Sequence, residues 1–358
     1  MKKIDIRFSC WLSNKREKRR LKRLQRANKK NEKTNPSKEI FQIYIPNELD
    51  LDRNRGKLTT ILKNIQSAIL SKSRFKLDHR NMKKISKEAL LLLVAEIERC
   101  TKLSDIKLKG NRKLFPKCIE VKRLLDDIGY WEYFNIKREK SKNSTLENCN
   151  VYLKIVSDTV VSGEKIGGLI TFFEELVCFD VKTRDKFSDA MTEAAANTVE
   201  HAYVGNQKIE TIDKWWLTAS LNKDTDEISF IFYDQGSGIL NTLESTHQQI
   251  KLKRLIAGWV NQGFSKGGIL KKLVTTNLSS YKDERRGNGL ISFKSFIDEV
   301  ESGELTIYTD DISYSVVSDD SNSYDDNING TLISWKIRAN HNNSSCIYIK
   351  EVDGNECK

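Results

Sequence analysis

The chain has 358 residues, with 61 Lys or Arg against 49 Asp or Glu and a formal net charge of +12. This length predicts two domains, and a hydrophobic fraction of 38% is enough to build folded cores, which excludes global disorder. The longest uninterrupted apolar run, Ala89 to Ala95, has seven residues, whereas roughly 20 are needed to span a bilayer. The opening residues show no signal-peptide pattern. We therefore expect a cytoplasmic protein without a transmembrane segment.

Residues 1–40 are predicted to form a basic N-terminal arm. They hold 15 Lys or Arg against 4 Asp or Glu, so +11 of the net charge of +12 lies in this arm. Residues 14–33 are the most basic part, with 11 of 20 residues Lys or Arg. They could bind nucleic acid through its phosphates, bind an acidic partner or a membrane surface, or remain a solvated segment. The sequence leaves these alternatives open.

Residues 41–136 are predicted to form a small α/β domain. Short runs with β character alternate with stretches of helical periodicity, which is typical of such a unit. The β runs are 41–45, 75–79, 106–110 and 133–136, and the helical stretches are 57–70, 87–100 and 118–130. A polar stretch at 137–150 has no apolar period and is predicted to be a linker.

Residues 151–340 are predicted to form a second domain, followed by a C-terminal tail at 341–358. The predicted elements are, in order, a strand at 151–161, helices at 164–177 and 184–203, a hairpin of strands 215–221 and 227–234, a loop-rich stretch of about fifty residues, a helix at 291–300, and strands at 304–310, 312–317 and 331–337. The acidic loop before the last strand is predicted to be solvated, because its spacing matches no calcium-binding loop.

Polar residues share one flank of the predicted helix 184–203. Glu193 and Asn197 are four residues apart, and Glu200 and His201 follow on the same flank. Apolar residues occupy the neighbouring flank, so one side of the helix is predicted to pack on a sheet while the other faces a cleft. Taken alone, the pattern is also typical of a polar surface helix, and a lone histidine such as His201 is usually a packing residue.

A second motif lies at the end of the hairpin. Asp234 is the last residue of a strongly alternating strand and is followed by Gly236 and Gly238. The rigid strand fixes the carboxylate at the edge of the sheet, and the glycines would let a flat ligand approach. A simple turn that closes the strand is the alternative interpretation.

Two further motifs follow. Arg286, Gly287, Gly289 and Leu290 come directly before the predicted helix 291–300. Glycines there leave backbone N–H groups open, and the positive end of the helix favours an anion such as a polyphosphate. Thr331, preceded by a glycine, opens the final strand and is almost uninformative alone.

In order and spacing, the segments around Asn197, Asp234, Gly287 and Thr331 resemble the GHKL nucleotide-binding fold. This fold is shared by histidine kinases, anti-sigma-factor serine kinases, type II topoisomerases and mismatch-repair ATPases. The resemblance covers about residues 151–340. It implies an α/β sandwich in which helices cover one face of a mixed sheet, and it implies ATP and Mg²⁺ as ligands.

The resemblance also implies a role for each matching residue. Asp234 would accept a hydrogen bond from the adenine amino group, with help from Thr331, so guanine would be rejected. Asn197 would offer its amide oxygen to Mg²⁺, which prefers oxygen ligands. Glu193, one turn earlier, would activate a water or an acceptor hydroxyl for attack on the terminal phosphate.

The remaining implied roles concern the phosphates and a lid. Gly287 and Gly289 would hold the phosphates. The segment between Asp234 and Gly287 would form a mobile lid over ATP. Its hinges would be Gly263, Gly267 and Gly268, and its candidate phosphate contacts are Arg286, ranked first, with Lys271, Lys272 and Arg285.

Residues 75–136 are similar in pattern to STAS domains, which in anti-sigma-factor regulation are substrates of GHKL serine kinases. In that family a serine at the head of the long helix takes the phosphate. Aligning Asp78 with the family strand places Lys87 at this position and Ser86 beside it. Because lysine has no acceptor hydroxyl, a docking or dimerisation role is favoured. His79 is a poor candidate for a phosphoacceptor histidine.

The expected function is therefore that of a cytoplasmic ATP-binding regulator whose nucleotide state controls association with a protein partner. Slow ATP hydrolysis and serine/threonine phosphorylation of that partner are both left open, as is a homodimer. The alternative is a nucleic-acid-associated GHKL ATPase, for example in genome defence, that docks on DNA or RNA through residues 14–33.

Overall fold

The computed structural model describes residues 41–73, 75–136, 150–174, 177–203, 207, 209–245, 250–276, 289–339 and 347–349. Within them the chain has a mixed α/β fold with a seven-stranded antiparallel sheet. None of the described helices is both long and apolar enough to cross a membrane. The basic arm, nearly all of the predicted linker and most of the predicted tail lie outside the described residues.

The first section, residues 41–136, contains short strands and three α-helices. The strands are β1 (Phe41–Tyr44), β2 (Glu48–Leu49), β3 (Phe75–Asp78) and β4 (Lys84–Ile85). The helices are α1 (Arg55–Leu70), α2 (Lys87–Ser104) and α3 (Ile119–Asp127). β1 pairs in parallel with β3, and β2 pairs in parallel with β4. The three predicted helices and the first two predicted strands are therefore present.

The other two strands predicted for this section are wrong. Residues 106–110 form no regular element, and Tyr130–Phe134 is a 3₁₀-helix. The reason lies in burial: Tyr130, Trp131 and Phe134 are all buried. The tight helical turn brings Phe134 into the same core cluster as Tyr130 and Trp131.

α2 is a core helix. Of its 18 residues, 14 are buried, and a helix that is buried on every side lies inside a fold rather than on its surface. Ser86 caps its N-terminus, because the Ser86 hydroxyl accepts a hydrogen bond from the backbone N–H of Ala89 at 3.2 Å. Asp105 ends it in a left-handed conformation.

The second section supplies the sheet and six more α-helices among the described residues. Its strands are β5 (Asn150–Asp158), β6 (Val177–Phe179), β7 (Trp215–Asn222), β8 (Glu227–Asp234), β9 (Gly303–Thr309), β10 (Ile312–Ser315), β11 (Asp320–Ser323), β12 (Thr331–Arg338) and β13 (Ile347–Ile349). Its helices are α4 (Gly163–Glu174), α5 (Val181–Asn197), α6 (Ile239–Ser245), α7 (Ile250–Asn261), α8 (Lys266–Thr275) and α9 (Gly289–Asp298). α6, α7 and α8 replace the expected loop-rich stretch.

The sheet has the strand order β11-β10-β9-β12-β8-β7-β5, and every described neighbour pair is antiparallel. The expectation of a mixed sheet is therefore wrong. β8 and β9 do run in the same direction, but β12 lies between them and pairs with both. β6 and β13 form a separate antiparallel pair, so the predicted tail contains a strand.

Helices cover both faces of the sheet. On one face, side chains of β7 and β8 pack in a core with α4, α5 and α9; they include Trp215, Phe230 and Phe232. On the other face, Trp216 and Tyr233 share a core with α2. Because side chains alternate along a strand, consecutive residues serve different helical layers. The first section thus supplies the covering layer for what we call the back face of the sheet.

Candidate functional site

Asp234 and Thr331 lie in one row across the sheet. β8 ends at Asp234 and β12 begins at Thr331, and the two residues are directly paired. The same row continues to Trp215 on β7 and Thr309 on β9. Directly paired residues point to the same face, and Trp215 belongs to the core under α4, α5 and α9. The Asp234 carboxyl therefore faces this helical layer.

The Asp234 carboxyl is buried, with an exposed fraction of 6%. Burial raises its pKa from 3.8 to about 7, although hydrogen bonds from the backbone N–H groups of Gly236 and Thr331 act in the opposite direction. The bond from Gly236 to Asp234 Oδ1 is 2.8 Å long. Since a carboxylate has about four acceptor positions, Asp234 retains capacity for a further donor such as an amino group.

The glycines after Asp234 pack against the protein itself. A Cβ on Gly236 would lie 2.4 Å from the backbone oxygen of Ala202, and one on Gly238 would lie 2.8 Å from Thr309 Oγ1. The space that we expected a flat ligand to use at these two positions is thus filled by the chain. Their small size serves the close approach of the loop to its neighbours.

α5 carries the predicted polar flank and ends at Asn197. Glu193 and Asn197 are both half-buried, while Met191 and Ala195 on the neighbouring flank are buried as predicted. The helix continues as a π-helical turn, residues 198–202, a feature that is frequent at functional sites. The turn joins the second motif, because the backbone N–H of Ser237 donates to the Ala202 oxygen at 2.8 Å.

Glu200 and His201 lie within this π-helical turn. Glu200 is exposed, and its carboxylate oxygen lies 3.9 Å from His201 Nε2.

α9 runs antiparallel to α5. Lys182 at the start of α5 forms an ion pair of 2.7 Å with Glu299, just after α9. Further along, the rings of Phe187 and Phe296 lie with their centroids 5.2 Å apart. The start of α9 therefore lies towards the Asn197 end of α5.

Leu290 at the start of α9 packs against the same two core clusters as Ile239 and Leu240, which directly follow the Asp234 loop. Gly289 is the first residue of α9. Thus the described parts of all four motifs lie at the same end of the sheet. Arg286 and Gly287, as well as Arg285, lie outside the described residues.

The lid cations have other partners. Lys271 forms an exposed ion pair with Asp319 at 2.5 Å, and the Lys272 ammonium lies 4.4 Å above the centroid of the Phe264 ring. Their contact with a phosphate stays a prediction. Asp319 is far from Lys271 along the chain, and Phe264 precedes α8, so the local sequence pattern around the two lysines does not predict these contacts.

Only one of the expected lid hinges lies in a turn. Gly263 has φ +81° between α7 and α8. Gly267 is instead inside α8 and buried, and a Cβ there would lie 2.6 Å from Ser321 Oγ. Gly268 also belongs to α8. The predicted solvated loop 318–330 contains β11, and Asp326 in it accepts a hydrogen bond from Thr59 of α1 at 3.0 Å.

Sequence reasoning missed a set of polar contacts that tie α2 to the back face of the sheet. Lys87 Nζ donates to the hydroxyls of Ser220 and Ser229 at 2.8 and 2.9 Å, and burial lowers its pKa. Glu98 accepts hydrogen bonds from Lys214 and Trp216, both at 2.7 Å. Serines facing inward on apolar strands and charges within an apolar helix were the available signals.

The residues considered as phosphate acceptors in the first section also have structural contacts. Lys87, which the resemblance to STAS domains would place at the acceptor position, contacts the back face of the sheet, and Ser86 is the N-cap of α2. His79 is only 2% exposed, and its Nε2 lies 2.8 Å from the Tyr130 hydroxyl. It is therefore inaccessible to a phosphate donor.

Within the described residues, no group of three or more His, Cys, Asp or Glu side chains could hold a metal ion. A metal at this site would depend on Asn197 together with oxygen atoms of a bound ligand.

Two cavities among the described residues lie in the first section, one beside His79 and Trp131 and the other between β1 and α1. Neither is lined by the residues around Asp234. A scan against protein-family models and a search of curated proteins both give no match.

Proposed function

We propose that this chain is an ATP-binding regulatory protein in which residues 151–340 form a GHKL-type nucleotide-binding fold and residues 41–136 form a STAS-like section. One observation carries the proposal: Asp234, Thr331, the Asn197 end of α5 and the start of α9 lie at one end of the sheet, under the same helical layer. These are the segments that would have to converge on a bound nucleotide.

The chemistry of each group fits a role in this site. The buried carboxylate of Asp234 has free acceptor capacity for the adenine amino group, and Thr331 is its direct neighbour. Asn197 supplies the oxygen type that Mg²⁺ prefers. The N-terminus of α9 at Gly289 and Leu290 offers backbone donors to phosphate, to which Arg286 and Gly287 would add.

Glu193 would serve as the general base. Glu193 lies one helical turn before Asn197, and both residues are half-buried. If Asn197 binds Mg²⁺, the Glu193 carboxylate would be near enough to take a proton from the attacking water or hydroxyl. Both slow hydrolysis of ATP and transfer of phosphate to a serine or threonine of a partner use this arrangement. We place the protein in the cytoplasm as part of the same proposal.

The proposal is tested by binding first and by turnover second. A ligand that binds only the folded state at 100 times its Kd stabilises it by about 2.7 kcal/mol, so ATP with Mg²⁺ should raise the melting temperature. Absence of any shift at millimolar ATP would contradict the proposal. Purified protein is then incubated with radiolabelled ATP and cell extract. Label in free phosphate identifies a hydrolase, and label in a protein identifies a kinase.

The second candidate function, a nucleic-acid-associated ATPase, is favoured by the basic arm, which holds +11 of the net charge. Turnover of ATP is measured with and without DNA or RNA, in the full chain and after removal of residues 1–40. Stimulation by nucleic acid that is lost on truncation supports this second function. Equal turnover in all four reactions supports the protein-directed regulator.

A further inference from the structure

Gln235 follows Asp234 and faces the opposite side of the sheet. Its side chain is 2% exposed, and its Nε2 donates a hydrogen bond to Glu96 Oε2 of α2 at 3.0 Å. Asp234, the candidate adenine-binding residue, is thus followed directly in the chain by a residue that is hydrogen-bonded to the first section.

Glu96 is itself fixed by Arg99, one turn further along α2. The guanidinium binds the carboxylate in two places, from Nε to Oε2 at 3.0 Å and from Nη2 to Oε1 at 2.6 Å. Arg99 Nη1 also donates to the backbone oxygen of Glu210 at 2.7 Å. Glu96 is 5% exposed and Arg99 is 1% exposed. A buried bidentate pair of this kind has a defined geometry, so the acceptor for Gln235 is held firmly.

The backbone of Gln235 is held as well. Its N–H donates to the Tyr203 hydroxyl at 3.0 Å, and that hydroxyl donates to the backbone oxygen of Lys214. Tyr203 directly follows the π-helical turn of α5. The peptide between Asp234 and Gln235 is therefore fixed from the helical side by Tyr203 and from the back face by Glu96.

We infer that Gln235 is a positioning residue for Asp234, and that the Glu96–Arg99 pair of α2 sets the adenine selectivity of the nucleotide site. The inference rests on the proposed function. A hydrogen bond to the adenine amino group requires the carboxylate to be held to within about 0.5 Å. Releasing the back-face contact lets Asp234 shift, which weakens this one bond while leaving contacts to the phosphates intact.

The test compares ATP with ITP, in which a carbonyl oxygen replaces the amino group. A hydrogen bond to a charged group contributes about 1.5–3 kcal/mol, so the wild-type protein should prefer ATP by at least about tenfold. Gln235→Met keeps the side-chain length and removes the donor. We expect it to lose most of this preference, through weaker ATP binding with ITP binding unchanged.

Ser229→Ala is the matched control. It also removes one buried hydrogen bond between α2 and the back face, but near the opposite end of β8, where Ser229 contacts Lys87. A general loss of stability would affect both variants, whereas only Gln235→Met should change the ATP-to-ITP ratio. Gln235→Asn, which keeps the amide on a shorter side chain, provides the same comparison if the methionine variant does not fold.

Three outcomes separate the possibilities. A reduced ratio in the Gln235 variant with a normal ratio in Ser229→Ala supports the inference. Selective ATP binding by the wild type together with an unchanged ratio in the Gln235 variant overturns the inference and leaves the proposed function standing. Binding of neither nucleotide by the wild-type protein overturns both.

Discussion

Replacing Asp234 by asparagine should stabilise the ligand-free protein while removing its ATP site. Burial raises the pKa of the Asp234 carboxyl from 3.8 to about 7, so the folded state holds a proton that the unfolded state releases. The stability that this proton confers is fully present below pH 3.8 and is lost as the pH rises through 7. At pH 8 the penalty corresponds to about 4 kcal/mol, at 1.36 kcal/mol per pKa unit.

Asparagine cannot ionise and escapes this penalty. Its amide nitrogen replaces one oxygen, which costs about 1 kcal/mol if one of the hydrogen bonds from Gly236 or Thr331 is lost. The variant should therefore be more stable than the wild type by about 3 kcal/mol at pH 8. Because the penalty at pH 5 is smaller, the advantage should shrink by about 3 kcal/mol at that pH.

Urea unfolding at pH 5 and pH 8 measures both quantities, with Asp224→Asn as the control. Asp224 is an exposed carboxylate in the turn between β7 and β8, so its replacement controls for the same change of a carboxyl to an amide at the protein surface. The same samples are melted with and without ATP and Mg²⁺. If the free energy of unfolding of Asp234→Asn differs from that of the wild type by the same amount at both pH values, the raised pKa of Asp234 is refuted. Full stabilisation of Asp234→Asn by ATP would refute its role in adenine binding.

Four further predictions concern pH and glycine. ATP affinity should rise between pH 6 and pH 8, because the ionised carboxylate of Asp234 accepts a hydrogen bond from the amino group more strongly than the protonated carboxyl does; calorimetry at these two pH values measures this. Gly330→Ala should destabilise the protein by more than about 2 kcal/mol, since Gly330 has φ +83° and its Cβ would lie 1.9 Å from the backbone oxygen of Asp234. Gly167→Ala, in open space on α4, should instead stabilise by about 0.5–1 kcal/mol in the same urea assay. Burial lowers the pKa of His79 to about 4, so this one residue should contribute a loss of about 3 kcal/mol of stability as the pH falls from 6.5 to 4. Relative to the wild type, His79→Gln should therefore gain about 3 kcal/mol over this range in the same urea assay.

Elements with strong local periodicity could be predicted from the sequence. The alternation of Ile228, Phe230 and Phe232 predicts β8, and these three residues are buried on one face. The apolar run in α2 likewise predicts a buried helix. The 3₁₀-helix at Tyr130–Phe134 could not be predicted, because its aromatic residues have β propensity and only their shared core selects the turn.

Long-range arrangement was beyond the sequence patterns. The insertion of β12 between β8 and β9 decides that the sheet is antiparallel, and it joins segments about a hundred residues apart. Asp234 and Thr331 are directly paired, and their shared role in adenine binding stays a prediction of the motifs. The motifs could not predict that Gly236 makes room for Ala202, because that contact depends on where α5 ends.

The position of α2 bears on what the nucleotide site could act upon. If the first section were the phosphate acceptor, as the STAS resemblance would suggest, the head of α2 would have to leave the sheet. Movement of the head alone would break the contacts of Lys87 with Ser220 and Ser229. Lifting the whole helix would also expose Trp216 and Tyr233, which lie towards its other end. Aromatic residues bury about 150–250 Å² each, so exposing these two costs on the order of 8–12 kcal/mol at about 25 cal/mol per Å². This is comparable with the whole stability of a domain. The first section therefore stays on the sheet, and under the proposed function a phosphate acceptor or regulated partner would have to be a separate molecule.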